Sequence, residues 1–211
     1  MTIAELWRYP VKSLAGERLE SADLTPQGIA GDRLVQVREA DGRIITSRTR
    51  HRLLGLRGRL DPGGRPLIDD HPWDSVEALE LVRRAAGASA RLTNDPDLHR
   101  FDVLPLLVAT DGAIARLGVD HRRLRPNIVI ADVPGLAERH WPGRTLRVGR
   151  ARIGVRKLRQ RCVMTTFDPD SLEQDLSVLR RIYEKFDGTM ALDCDVLDPG
   201  PLAVGDRVEL V

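Results

Sequence analysis

RTLRVGRARIGVRKL, residues 144–158, reads as a run of short strands and passes without a break into RQRCVMTTFDPD, residues 159–170. In that second stretch Cys162 is flanked by Arg159 and Arg161, with Arg156 and Lys157 just before it. Positive charge beside a thiol favours the thiolate, a soft ligand for a heavy metal centre. Thr165 and Thr166 add hydroxyls, and Asp168-Pro169 turns the chain away. A lone cysteine is more often a small buried apolar residue, so its neighbours alone leave Cys162 open between packing and chemistry. Cys194, in ALDCDVL, has no basic neighbours and reads as a core residue.

Outward from that stretch, strand-like segments dominate. IAELWRYPV (3–11), RLESADLT (18–25) and RLVQVREADGRIITSR (33–48) are short and broken by Gly, Pro and Asp. Leu34 to Ser47 reads as a hairpin turning at Asp41-Gly42, and Pro10 marks a strand end or bulge. After the turn-rich DPGGRPLIDDHPWD (61–74), Asp74 or Ser75 caps a helix with Val76, Leu79, Val82 and Ala86 on its apolar face and Gly87 as its stop. TNDPD (93–97) marks a boundary. Beyond it, FDVLPLLVAT (101–110) reads as a strand leading to a short helix, GAIARLG, capped at Thr110-Asp111, and RRLRPNIVIADV (122–133) as a strand entered through a proline. A helix is expected over SLEQDLSVLRRIYEKF (171–186), with Leu172, Leu176, Leu179 and Ile182 as its stripe. GPLAVGDRVELV (200–211) reads as strand, turn, strand. The fold class expected is mainly β (α+β): a β-barrel core with helical additions.

The bulk properties narrow the function. The 211 residues suit one large domain or two small ones, and 42% are hydrophobic, enough for a core. A net charge of +2 gives no general case for nucleic acid or membrane binding. Only three of the 33 basic residues are lysines (Lys12, Lys157 and Lys185). Arginine excess of this kind follows from a GC-rich genome, except where arginines cluster and the guanidinium fork suits phosphate or carboxylate. MTIAELWRYP lacks the pattern of a signal peptide, no run approaches a membrane span, and two distant cysteines suit a reducing, cytoplasmic setting. No phosphate-binding glycine loop, HExxH or GxSxG is present, and the five histidines show no metal-ligand spacing. The basic runs HRRLRP and RKLRQR lack the interleaved aromatics that stack on bases, so no nucleic acid partner is expected.

RCVMTTFDPD resembles the cysteine motif of the MOSC (molybdenum cofactor sulfurase C-terminal) family. Other stretches agree in order: YPVKSL (9–14), GIAGDR (28–33), ITSR (45–48), TDGAIARLG (110–118) with RRLRPNIVI (122–130), and VGDRVEL (204–210). The resemblance implies an N-terminal β-barrel domain over residues 1–97, carrying a small α/β insert at about 66–97, packed on a β-barrel MOSC domain over 98–211.

It also implies a molybdenum cofactor, Mo-molybdopterin, with Cys162 as the protein's metal ligand and as a catalytic residue beside Asp111. Lys12, Ser13, Arg33, Arg48, Arg125, Asn127 and Arg161 fall at implied cofactor-binding positions, with Thr110, Asp111 and Thr165 as supporting residues. The chemistry suits these roles, since bidentate arginine binds phosphate and amide or carboxylate groups meet a heterocycle edge. Structural alternatives stand beside them: Lys12 merely solvated, Arg33 or Arg125 in an internal ion pair, Asp111 a helix cap, Asn127 a turn former after Pro126. Two departures, Leu124 where relatives often carry an aromatic and KLRQRC without a second cysteine, bear on the shape of the substrate pocket.

The function implied is an oxidoreductase reducing N-hydroxylated small molecules. No ferredoxin-like motif follows Val211, so its electrons are expected from a separate flavin, iron–sulfur or haem protein. No pyridoxal-phosphate-type domain precedes Met1, so the chain is not expected to be a whole cofactor sulfurase. The alternative is a non-redox carrier of the cofactor or of a persulfide on Cys162.

Overall fold

The first strand has one partner near it in sequence and one far away. In the computed structural model, which describes all 211 residues, β1 (Thr2–Arg8) pairs antiparallel with β2 (Glu17–Leu19) and also with a strand more than a hundred residues later. The short β3 (Ser21–Thr25) and β4 (Gly28–Ile29) follow. Then β5 (Gln36–Arg38) and β6 (Ile44–Ile45) form the expected hairpin, with Gly42 at φ 85° in its turn. Glycine suits that turn because positive φ costs it nothing.

β7 (Gly58–Leu60), β8 (Pro66–Ile68) and β9 (His71–Pro72) make a small antiparallel sheet. Helix α1 (Val76–Ala86) is N-capped by Ser75, whose hydroxyl accepts from the Ala78 amide, and it stops at Gly87. Its buried positions are Ala78, Val82 and Ala86, whereas Val76 is 69% exposed. The apolar face starts one half-turn later than the sequence spacing suggests. β10 (Arg91–Thr93) then returns to pair with β5.

In the second half, β11 (Leu106–Thr110) leads into α2 (Asp111–Leu117) and β12 (Ile128–Ala131) lies parallel beside β11. The expected strand over 101–110 begins only at Leu106, after Pro105, and 122–133 is strand only over β12 because His121–Leu124 winds as a 3-10 turn. β13 (Thr145–Val148) and β14 (Ala151–Gln160) form a hairpin, and β14 pairs with the equally long β15 (Thr189–Asp198) after helix α3 (Leu176–Phe186).

Helix α3 starts later than read. Asp168 draws the amides of Asp170 and Ser171 into a local turn, Leu172 adopts φ 60°, and Asp175 caps the helix by accepting from the Ser177 amide. Short polar side chains compete with helix in this way. The buried stripe is therefore Val178, Ile182 and Phe186, with Leu176 59% exposed.

β16 (Gly200–Ala203) pairs with β3, and β17 (Glu209–Leu210) with β13. The main sheet has eight strands in the order β17-β13-β14-β15-β11-β12-β1-β2. That order is open, and the expected barrel is not seen as an unbroken ring of strands. What draws the ends together is a set of backbone bonds: Ile3 donates to Asp206, Gly205 donates to Ile3 and Val208 donates to Met1.

A 19-residue core fills this sheet, including Leu6, Val108, Ile130, Ile153 and Cys194. An 11-residue core joins Val11, Leu14 and Val37 to α1. Full burial of each such Val, Leu or Ile stabilises by about 1.5–3 kcal/mol, which fixes the strand register, because a one-residue slip would turn the apolar face outward. No helix is long and apolar enough to cross a membrane.

Candidate cofactor cleft

Between the two cores lies a cleft of about 400 Å³. Lys12, Ser13, Arg33 and Arg48 reach it from the first half, Arg125, Asn127, Arg161 and Cys162 from the second, and Phe101 and Asp102 from the connecting loop. In all, eight basic side chains and two carboxylates, Asp102 and Asp193, line it. An excess of cations in a partly enclosed site focuses potential on an anionic ligand.

Three of the lining residues, Ser13, Arg33 and Arg125, sit at positive φ (75°, 52° and 57°) without being glycine. Such backbone costs about 1–3 kcal/mol per residue and clusters at functional sites. Tyr9 is the buried post around which two of them fold. Its hydroxyl donates to the Pro126 carbonyl at 3.1 Å, and the guanidinium groups of Arg125 and Arg33 lie 4.3 and 5.4 Å from its ring centre. Burial pushes the Tyr9 phenol up to about 12 and draws Arg125 down to about 10, which leaves that arginine cationic at neutral pH. Arg33 ion-pairs with the buried Asp32, as the structural alternative held, while Arg125 has no carboxylate partner and rests on Tyr9.

Lys12 is buried rather than solvated, and its Nζ lies 2.7 Å from Asp102. Arg48 meets the same carboxylate at 2.7 Å, and Arg159 approaches to 4.0 Å. Partial burial of Asp102 raises its carboxyl, but the Lys12 hydrogen bond and the charges of Lys12, Arg48 and Arg159 outweigh that and hold it below the ordinary value. A carboxyl depressed on folding stabilises the protein above its unfolded pKa, and that contribution is lost as pH falls through the lower folded value. Asp102→Asn should therefore melt below wild type at neutral pH. The gap should be full above about pH 4 and shrink on further acidification; a gap independent of pH would refute the ion cluster.

Cys162 follows β14 and starts a 3-10 turn, Val163–Thr166. Thr165 holds that turn, its hydroxyl and amide both donating to the Cys162 carbonyl at 2.9 and 3.1 Å. Thr165 is thus a buried support behind the thiol, not a lining residue. Cys194 is sealed in the core, where burial pushes its thiol up.

Asn127 lines the cleft, yet its amide is engaged in holding the fold. Oδ1 accepts from the Leu107 amide at 3.1 Å, and Nδ2 donates to Trp7 O and Asp32 Oδ2, each at 3.3 Å. Thr110 and Asp111 stand outside the cleft. Thr110 caps α2 and bonds to Glu138, while Asp111 accepts from the amides of Gly112, Asp132 and Val133. Both lie at the far end of β11, roughly 10 Å along the strand from Leu107 at about 3.3 Å per residue.

The sequence reading missed Asp102, Asp193 and Arg123. Asp102 was hidden in a segment taken for strand, and Asp193 beside a cysteine taken for core. Arg123 donates to Thr166 O and Asp168, tying the cysteine turn to the arginine-rich one. A chamber of about 90 Å³, walled by Trp7, Tyr9, Phe167 and Pro169, adjoins the cleft and shares Arg123, Arg125 and Met164 with it.

Two family models match the chain: the MOSC N-terminal beta barrel domain over residues 1–94 and the MOSC domain over 108–209. The protein belongs to the MOSC family. Its cleft lies where the two MOSC segments meet, each supplying basic walls, with the loop between them supplying Asp102. Human mitochondrial amidoxime-reducing component 1 is 26% identical, over 100% of this chain and 83% of its own length. Bovine mitochondrial amidoxime reducing component 2 is also 26% identical, over 81% of this chain and 67% of its own. Among solved structures, the YuaD protein from Bacillus subtilis shares the fold, with TM-score 0.50 and 13% identity over 100% of this chain and 96% of that one.

Proposed function

We propose that this MOSC protein binds a molybdenum–pterin cofactor in the cleft and reduces small N-hydroxylated compounds. The observation that carries the reading is the convergence on one cleft of a partly exposed thiol, Cys162, and a cationic cradle drawn from both halves of the chain. The donor set fits such a group. Cys162 offers a soft ligand to the metal. Lys12, Ser13, Arg33, Arg48 and Arg125 offer charge and hydrogen bonds to a phosphate tail. Buried polar atoms on the cleft residues Arg161 and Asp193 have no protein partner and are left for a polar ligand.

When bound, the cofactor supplies the two-electron chemistry that side chains lack. The protein's own part is to hold it, orient it and set the surrounding charge. The adjoining chamber of about 90 Å³, walled by aromatic and guanidinium groups, is smaller than the roughly 300–1,000 Å³ of a ligand pocket and offers contacts only to one end of a small substrate seated in the cleft. The reaction, an N-hydroxyamidine plus two electrons and two protons giving an amidine and water, draws its electrons from a separate flavin, iron–sulfur or haem protein. The names of the relatives support the substrate class, and two free thiols suit a cytoplasmic setting.

The test is to assay purified protein for molybdenum and pterin, then for N-hydroxybenzamidine reduction with chemically reduced viologen. Stoichiometric cofactor with turnover is expected. Bound molybdenum without turnover of any N-oxygenated compound would point to a carrier. A persulfide mass on Cys162 with neither metal nor pterin would do the same and overturn the redox reading.

A further inference from the structure

Three buried side-chain polar atoms lack a hydrogen-bond partner: Arg123 Nε, Arg161 Nε and Asp193 Oδ2. All three belong to residues lining the one cleft. More than about 90% of buried polar groups in proteins are satisfied, so their coincidence in one place asks for a ligand that completes them.

Arg161 and Asp193 are the most enclosed, 8% and 2% exposed. Each is anchored by one atom and leaves another unspent. Arg161 Nη2 donates to the Leu124 carbonyl at 2.8 Å, which fixes the guanidinium plane and leaves Nε free. Asp193 Oδ1 accepts from Arg159 Nη1 at 3.0 Å, which leaves Oδ2 free. The two do not form an ion pair with each other.

Their placement comes from irregular backbone. The β14–β15 ladder shifts register between Val155 and Lys157 and again between Leu158 and Gln160, and Ala191 takes φ 67°. Bulges of this kind re-aim side chains beside functional sites.

We infer that Arg161 Nε and Asp193 Oδ2 form a donor–acceptor pair that reads the carbonyl/N–H edge of a cyclic-amide heterocycle, the pyrimidinone ring of a pterin. The carbonyl accepts from Arg161, and ring or exocyclic N–H groups donate to Asp193. A phosphate fits this role poorly, because its negative charge is repelled by the Asp193 carboxylate, whereas a neutral ring edge brings an acceptor and a donor side by side. This deepens the proposed cofactor reading and rests on it: the cradle of Lys12, Arg33 and Arg48 takes the anionic tail, and this pair takes the ring.

The experiment titrates the cofactor-free full chain with neopterin, read by pterin fluorescence, and separately with inorganic phosphate and with benzamidine. Asp193→Asn should weaken neopterin about tenfold, the loss expected for one buried charged hydrogen bond, while phosphate binds as well or better because a negative charge is gone. Arg161→Lys keeps the charge but loses the fixed Nε donor, so it should weaken neopterin and leave phosphate nearly unchanged. It also keeps the test alive if Asp193→Asn does not fold. Unchanged neopterin affinity in both variants overturns the pair, as does a parallel fall in neopterin and phosphate. A loss confined to benzamidine overturns the pterin assignment in favour of a substrate amidine. If wild type binds no neopterin at all, the cofactor reading itself fails and takes the pair with it.

Discussion

Cys162→Ala is expected to lose its molybdenum while keeping its fold. Metal analysis should show at least an about tenfold drop, since even partners one shell removed from a metal cost 10–100-fold in affinity. The turn around residue 162 rests on backbone: Thr165 bonds to the Cys162 carbonyl, which alanine retains. The side chain is only partly buried, so the melting temperature should barely move. Pterin should fall less than molybdenum, because the cationic cradle holds the tail independently of the thiol. Cys194→Ala is the matched control. It removes a thiol from the core and should cost stability but no metal. Equal molybdenum in Cys162→Ala and wild type would remove the central claim.

The second large effect is on stability. Asn127→Ala deletes the amide that ties Leu107, Trp7 and Asp32 together, strands the buried Leu107 N–H and removes one of the donors to Asp32, which keeps Arg33 and the Tyr9 amide. Leaving that N–H unpaired and thinning the donors around Asp32 costs about 2 kcal/mol, or a fall of about 6 °C in Tm for a chain of this size. Asn127→Asp is a sharper probe. It keeps the acceptor for Leu107 but sets a second carboxylate against Asp32, so it should be at least as unstable as alanine at neutral pH and recover on acidification. A melt unchanged in Asn127→Ala would mean that the cleft wall does not depend on this amide.

Motifs carried by local backbone were the most legible in sequence. The Asp41-Gly42 hairpin and the Ser75 cap with its Gly87 stop are settled by residues a few positions apart, whereas residues 144–158 were legible as short strands but not as the β13–β14 hairpin they form. Family resemblance extended this to the cleft, where Lys12, Ser13, Arg33, Arg48, Arg125, Asn127, Arg161 and Cys162 meet. What stayed hidden was set over distance. Asp111 and Asp193 are both acidic residues beside apolar runs, and nothing local tells which end of a strand faces the cleft. Leu172 and Leu176 have helical spacing, but Asp168 captures the amides that would have begun the helix there. The dual engagement of Asn127 depends on Asp32 and Leu107, which only the folded chain brings beside it.

The pairing of β1 has a consequence for how the chain comes to be folded. Residues Thr2–Leu6 precede their main long-range neighbour, Ile128–Ala131, by more than a hundred residues, and Met1 and Ile3 bond to residues 205–208, farther along still. The loop to be closed is long, and such contacts form late and slowly. Until then Leu6 and Ile3 are exposed on an unpaired strand edge, the kind of surface that invites association with other chains. The eleven-residue core around α1 draws on residues no later than Ala90 and has no such wait. A folding chain of this architecture therefore passes through a stage with the core around α1 assembled and one edge of β1 still waiting for β12, and a chaperone acting at that stage would find its substrate in that strand.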